Sequence, residues 1–502
     1  MHRRDILKTA LTAPLIGGWW PALSAAAVGE VSAFGDDTVA RLARDLASRA
    51  YVALDQSLPP VLAEADYDRY RDFRYRPDRA LWRDAPGVGF QAQFFHRGFL
   101  FKPRIDIHVV ERGRARSVPF STALFDYSPH PTPALSETLG FAGLRLHAPL
   151  NRPDYFDELC VFLGASYFRA VARGLRYGLS ARGLALGSGD PAPEEFPVFR
   201  AFWLHRPEPG SSEMTVDALL DSPSVAGAYR FRIRPGDDTV FEVDARLYPR
   251  VELANAGIAP LTSMYQFDAA DRGGIDDYRP AVHDSDGLAL LTGTGEQVWR
   301  PLHNPASIQH SGFQDRRPRG FGLMQRKRAF ADFQDAEAGY EARPSAWVEP
   351  LDDWGAGEVH LVEIPTADEY HDNIVAFWRP ATPLAAAAES RWRYRLHWTA
   401  THSWKAGLAL VQSTRIGAKP GGDRSTRLVV VDFDGATGPA PRIEVSATTG
   451  RVGNPIVHAR PGGGWRAGFE FVPDGTATSE WRMRLTRDDA PVSETWIYRW
   501  SA

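Results

Sequence analysis

Cysteine is almost missing from this chain. Cys160 is the only one in 502 residues, so no intrachain disulfide can form and thiolate zinc clusters are excluded. Flanked by Leu159 and Val161, it reads as a small buried hydrophobe and not as a nucleophile. An excess of one charge sign is lacking too. The formal net charge of -4 gives no reason to expect a nucleic-acid partner. The one basic cluster, Arg316 to Arg328, is broken by an apolar stretch and reads as a solvated loop and strand end. Several catalytic signatures are absent: there is no P-loop, no H-E-x-x-H and no G-x-S-x-G elbow. Gly293-Thr-Gly295 lacks the third glycine of a dinucleotide site. Beyond the N-terminus no run is long and apolar enough to span a bilayer.

What is present begins with an N-terminal leader. Arg3-Arg4 precede an apolar, uncharged segment (TALTAPLIGGWWPALSAAA) that ends in small residues near Ser24 to Ala27. This predicts a cleaved twin-arginine signal over residues 1–26, which exports an already folded protein, here expected to be soluble and periplasmic. With 44% hydrophobic and 24% charged residues the remainder is globular, and its length suggests two domains.

One amphipathic helix is expected near residues 36–54, with Val39, Leu42, Leu46 and Ala50 on one face and Asp36 or Asp37 as N-cap. A second candidate is YFRAVARGL at 167–175. Most of the rest alternates with period two. Tyr229, Phe231 and Ile233 alternate with arginines; after the PGDD turn, Phe241, Val243, Ala245 and Leu247 alternate with Glu242, Asp244 and Arg246. The pattern predicts an antiparallel hairpin whose outer charges pair across the strands. PATPLAAAAE, around Pro380 to Glu389, reads as a linker. After it about seven short strands, starting at Trp392 to Trp398, suggest an immunoglobulin-like sandwich. The expected fold is all-β: a large domain over 27–384 and a small sandwich over 385–502.

The candidate chemistry is carboxylic. His283-Asp284-Ser285-Asp286 packs three ionisable groups between Pro280 and Gly287, and admits a metal site, an acid–base device or a polar turn. The calcium reading fails on spacing, because no third ligand position or distal glutamate follows. A second patch holds Glu363, Asp368, Glu369, Tyr370, His371, Asp372 and Trp378. Between them lie Asp335, Tyr340, Arg343, Trp347 and Glu349. Two carboxyl groups with aromatic rings nearby suit glycoside hydrolysis, which needs an acid for the leaving oxygen and a second carboxylate to activate water or attack carbon. Of the fifteen tryptophans, Trp392, Trp398, Trp481, Trp496 and Trp500 read as core, while Trp203, Trp354 and Trp378 are candidates to stack on sugar rings.

The ordered motifs FLGASYFRAV, YGLSARGLAL, NAGIAPLTSM, HDSD, RPLHNP, RGFGLMQ, RPSAWVEP and EIPTADEYHDNIVAFW resemble the osmoregulated periplasmic glucan biosynthesis proteins (OpgG and OpgD, also MdoG and MdoD) over nearly the whole chain. The twin-arginine leader points to the D type. The resemblance implies a galactose-mutarotase-like β-sandwich followed by an immunoglobulin-like domain. It also implies anomer-inverting endo-cleavage of β-1,2-glucan, with no cofactor and no metal. Asp372, before Asn-Ile-Val, would be the general acid, and Asp284 the general base, acting at a distance through a relay that Tyr340 lines. His283, Asp286, Asp335, Arg343, Trp347, Glu369, Tyr370 and Trp378 would hold substrate or support the relay. Asp372 would need burial, or a carboxylate such as Glu369 beside it, to stay protonated. A homodimer and a functional link to a membrane glucan synthase are expected partners beside the glucan. Two departures stand out. Only AKPGGDRST separates Gly417 from Arg427, where the D type carries a long tryptophan-containing insertion, and Tyr370 replaces a small hydroxyl residue. Both leave a transglycosylase, closing a β-1,2-glucan ring through an α-1,6 bond, and a non-catalytic scaffold open beside the hydrolase.

Overall fold

The computed structural model describes residues 31–401, 407–435 and 438–502. The expected leader lies outside them. Among the described residues no helix is long and apolar enough to cross a membrane. The architecture is all-β. A 16-stranded sheet and a 10-stranded sheet face each other, and a four-stranded sheet lies at the C-terminal end.

Alternation explains the first sandwich. Strand Val225–Arg234 pairs with Asp238–Pro249 in antiparallel register, and Tyr229, Phe231, Ile233, Phe241 and Val243 all point into one core. From the opposite sheet Phe162 meets Phe231 at 5.2 Å and Phe168 stacks on Phe241 at 5.8 Å. On the outer face Arg232 bonds Glu242 at 2.9 Å, as the pattern predicted. Arg230 instead binds Asp217, and Asp244 binds Arg391. Cys160 is fully buried in this core, where burial pushes its thiol up, as an inert hydrophobe requires.

The N-terminal helix is Thr38–Ala47, but it buries Val39, Ala40 and Ala43 and leaves Leu42 exposed. It lies on the outer face of the sheet, where small side chains permit close approach, so the buried stripe is rotated from the larger residues. The second expected helix is a strand, Tyr167–Ala170. Phe168 and Ala170 point into the core and Tyr167 and Arg169 point out, so pairing with both neighbouring strands overrides the local helical signal.

The stretch read as the first strand of the small domain belongs to the large one. Ser390–Thr399 sits between Asp238–Pro249 and Ser345–Pro350, and Trp392, Tyr394, Leu396 and Trp398 enter the first core. The linker at 385 therefore precedes a strand of the large sheet, and the second core starts after residue 399. That core gathers Trp481, Trp496, Trp500, Phe469 and Phe471. It is joined to the first by a parallel pairing of Gln297–Pro301 with Thr495–Ser501, and Trp299 and Trp347 reach into it.

Candidate active site

The HDSD segment leaves the short strand Val282–His283 and enters Gly287–Leu291. Glycine is required at 287, since a Cβ there would lie 2.4 Å from the Trp299 ring. The Asp284 amide donates to the Met264 carbonyl at 2.8 Å and the Asp286 amide to Met324 at 2.7 Å. Both carboxylates are therefore fixed from the backbone upward, and both are buried.

The same short segment, 263–265, also holds the second patch. The Asn373 amide donates to the Ser263 carbonyl at 3.0 Å. Its side-chain oxygen accepts from the Tyr265 amide at 2.8 Å, and its nitrogen donates to the carbonyls of Tyr265 and Ile364 at 2.9 Å each. Asp372, next to this clamp, is exposed. It nonetheless lies within electrostatic reach of Asp284 and of the buried Arg182. Asn373→Ala strips the partners from three buried backbone groups and is expected to destabilise the fold by roughly 3 kcal/mol. A denaturant midpoint unchanged from wild type would refute the clamp.

Burial pushes the proton affinity of Asp284 above the ordinary carboxylate range, and the charge of Asp372 adds to it; Arg343, bonded to Asp284, only partly offsets this. The Arg343 guanidinium also lies 4.2 Å over the Tyr340 ring. Tyr340 is buried among Glu369, Arg343 and Asp284, and burial raises its phenol. Arg279 ties the outer carboxylates together, bonding Asp277 and Asp335 at 2.8 Å and Glu369 at 2.6 Å. Asp335 in turn accepts the amides of Glu337 and Ala338, which fixes the loop that carries Tyr340 and Arg343.

Behind Asp284 the motif is built differently. Burial opposes the charge on Asp286, but Lys327 and the amides of Arg326 and Lys327 outweigh it and hold the carboxyl near 2. His283 is fully buried, stacked on Tyr265, and burial lowers its pKa, which favours the neutral ring. Asp268, His283 and Asp286 have ligand atoms within 4.8 Å of one another, the spacing of a metal site. The Lys327 ammonium bonds Asp268 at 2.5 Å and Asp286 at 3.0 Å, so a fixed cation already bridges the two carboxylates.

The structure thus brings Asp284, Arg343, Tyr340, Glu369 and Asp335 into one network, with His283 and Asp286 supporting it from behind. It does not bury Asp372, and Glu369 is engaged by Arg279. Tyr370 is 74% exposed. Trp347 and Trp378 are buried in the two cores, Trp354 lies with Trp378 in the first, and Trp203 is buried under the N-terminal helix, so none of them offers a face to a sugar ring. Glu363, part of the acidic patch, is a structural anion buried against Arg300 at 2.9 Å and His303. Sequence reading missed Arg279, Arg182 and Lys327. Arg326 and Lys327 belong to the basic cluster taken for a solvated loop, yet Arg326 forms a buried pair with Glu494 and Lys327 fills the anionic trio. Position was the available signal for Arg279, which stands four residues before the histidine of HDSD.

Comparison with known proteins places the chain in a family. A family model described as "Periplasmic glucan biosynthesis protein, MdoG" matches residues 34–500. A protein of Rhodopseudomonas palustris called "Glucans biosynthesis protein G" is 50% identical over the full length of both chains. Proteins of the same name from Bradyrhizobium diazoefficiens and Vibrio cholerae are 48% and 50% identical; the first covers both chains fully, the second 94% of this chain and 88% of its own. These relatives carry the G designation, so their names lend no support to the D type suggested by the leader.

Proposed function

As the chain belongs to the periplasmic glucan biosynthesis protein family, we propose that it works in the periplasm as an anomer-inverting enzyme that cleaves β-1,2-glucan within the chain. One observation carries this reading. A buried carboxylate with raised proton affinity, Asp284, and an exposed one, Asp372, are anchored to the same segment and sense each other's charge. Asp372 gives its proton to the glycosidic oxygen as the C1–O bond breaks. Water attacks C1 from the opposite face and its proton passes to Asp284 through hydroxyl groups near Tyr340, giving an α-anomeric product. A glucan lying over Asp372 shields it from bulk water. Arg343 orients Asp284 while leaving it basic. The Arg279 network sets the loop that bears Tyr340.

A transglycosylase is the second reading, favoured by the loop after Leu410–Ala418. The Lys419 amide donates to the Thr426 carbonyl at 2.9 Å, closing a short hairpin where the D type carries a long insertion. If the altered loop disfavours water at C1, a sugar hydroxyl replaces it as acceptor and inversion yields an α-linked product. Incubation with linear β-1,2-glucan, followed by reducing-end assay and linkage NMR, separates the two. The hydrolase predicts new reducing ends born as α-anomers; cyclic or α-1,6-linked products without new ends support the transglycosylase. Absence of both reverts the protein to a glucan-binding scaffold, the role in which a homodimer or a membrane glucan synthase partner would matter most.

A further inference from the structure

A cleft lies at the far edge of the 10-stranded sheet. It encloses about 850 Å³ and shares no residue with the carboxylate network. Its walls come from the edge strand Gln91–Phe95 and from the small ribbon formed by Arg74–Tyr75 and Phe125–Asp126. Tyr70 and Phe95, both half-buried, provide aromatic surface above the buried Phe73 and Tyr75. Arg71, Arg74, Arg76 and Arg145 line it beside Asp78 and Asp126. Arg76 and Asp78 are paired at 2.8 Å, and Arg145 bonds Glu158 at 2.9 Å and Gln93 at 2.7 Å while lying 5.6 Å over the Phe95 ring. Arg71 is exposed.

This composition suits one kind of ligand. A pyranose ring presents a C–H face that packs on aromatic surface, and hydroxyls that both donate and accept. Paired guanidinium and carboxylate groups answer both needs while remaining neutral together. The volume is in the range that holds small ligands and open enough for a chain to pass through.

The register connects this cleft to the carboxylates. Gln93 lies opposite Arg145, Arg145 opposite Val161, Val161 opposite Arg169, and Tyr167 opposite Arg182. Cross-strand partners share a face, so these side chains form one row on the side of the sheet away from the core. Arg182 ends the row, bonding Thr262 at 2.8 Å and sensing Asp372. From strand Ile374–Pro380, next to Asp372, to Gln91–Phe95 there are six strand-to-strand steps. At the usual strand spacing that is about 29 Å, the reach of several sugar units.

We propose that this cleft is a distal binding site for the glucan chain, holding a segment of the same polymer whose scissile bond lies at Asp372. The proposal rests on the function assigned above and adds chain-length selectivity to it. Short oligosaccharides fill only the carboxylate end; long chains gain affinity from the arginine–aromatic cleft.

Hydrogen–deuterium exchange of the full-length Asp372→Asn variant, with and without long linear β-1,2-glucan, tests the two sites separately. The expected result is slowed exchange both at 70–78 with 91–96 and at 282–286 with 364–373. Protection confined to the second set overturns the distal site and spares the catalytic reading. Protection confined to the first set supports the distal site while removing the catalytic one, and protection at neither overturns both. As a second measurement, Arg71→Ala/Arg76→Ala, two exposed-rim changes, should weaken calorimetric affinity for long glucan about tenfold. Affinity and turnover for short oligosaccharides should be unchanged. Equal affinity of variant and wild type for long chains would overturn the proposal.

Discussion

Asp372→Asn should lower turnover of linear β-1,2-glucan by about 10²–10⁴-fold, the usual contribution of acid catalysis. The carboxamide fills the same space but has no proton to give the departing glycosidic oxygen. Because Asp372 lies outside the core and its position is fixed through Asn373, the exchange should leave stability and glucan affinity intact. The decisive control is a β-1,2-linked glucoside with an aryl leaving group acidic enough to depart unprotonated. Its cleavage by the variant should approach that of wild type. If the aryl substrate suffers as large a loss as the polymer, Asp372 is not the acid. If the polymer is processed at the wild-type rate, the catalytic reading itself fails.

Asp284→Asn should cost a comparable factor, again about 10²–10⁴-fold, and the aryl substrate should not rescue it, because activation of water is needed whatever departs. The electrostatics add a pH signature. A base works when deprotonated, so kcat/KM should rise with pH through the Asp284 pKa, which burial places above the ordinary carboxylate value. Arg343 lowers that pKa, hence Arg343→Gln should move the acid limb to higher pH. A limb that stays in place, or moves down, would show that another group controls it. Loss of the stack on Tyr340 lowers the plateau as well, so the limb position and not the maximum rate is the informative quantity.

Much of the fold was legible in the sequence because period-two alternation reports directly which face of a strand is buried. Tyr229 to Ile233 and Phe241 to Leu247 were placed inward by pattern and are inward in the structure. The same rule identified Trp392, Trp398, Trp481, Trp496 and Trp500 as core. Pattern fails where the partner matters. YFRAVARGL has helical local preferences, yet it is a strand because Cys160 to Phe162 on one side and Ala181 to Arg182 on the other offer hydrogen bonds to its backbone. Trp203, Trp354 and Trp378 read as nearer polar loops and are nevertheless buried, Trp354 and Trp378 in the first core and Trp203 under the N-terminal helix. Alternation also cannot say which core a strand joins: Ser390–Thr399 follows the linker but completes the first sheet.

The site divides in the same way. By itself the sequence determined the type of chain: one cysteine, balanced charge, alternating strands, and ordered motifs that mark out HDSD and the segment ending in Asp372. These are properties of residues and of their short-range spacing. Only the tertiary structure decided how the ionisable groups differ from one another. Asp284 and Asp286 stand two residues apart, both buried; Asp284 is raised because desolvation outweighs the pull of Arg343 and Arg169, and Asp286 is held near 2 because a lysine and two amides converge on it. The groups responsible come from positions 326, 327 and 343, distant in sequence and adjacent only once the sheets have packed. A carboxyl's proton affinity is set by the charges, donors and water around it, and those are fixed by the fold and not by its neighbours along the chain.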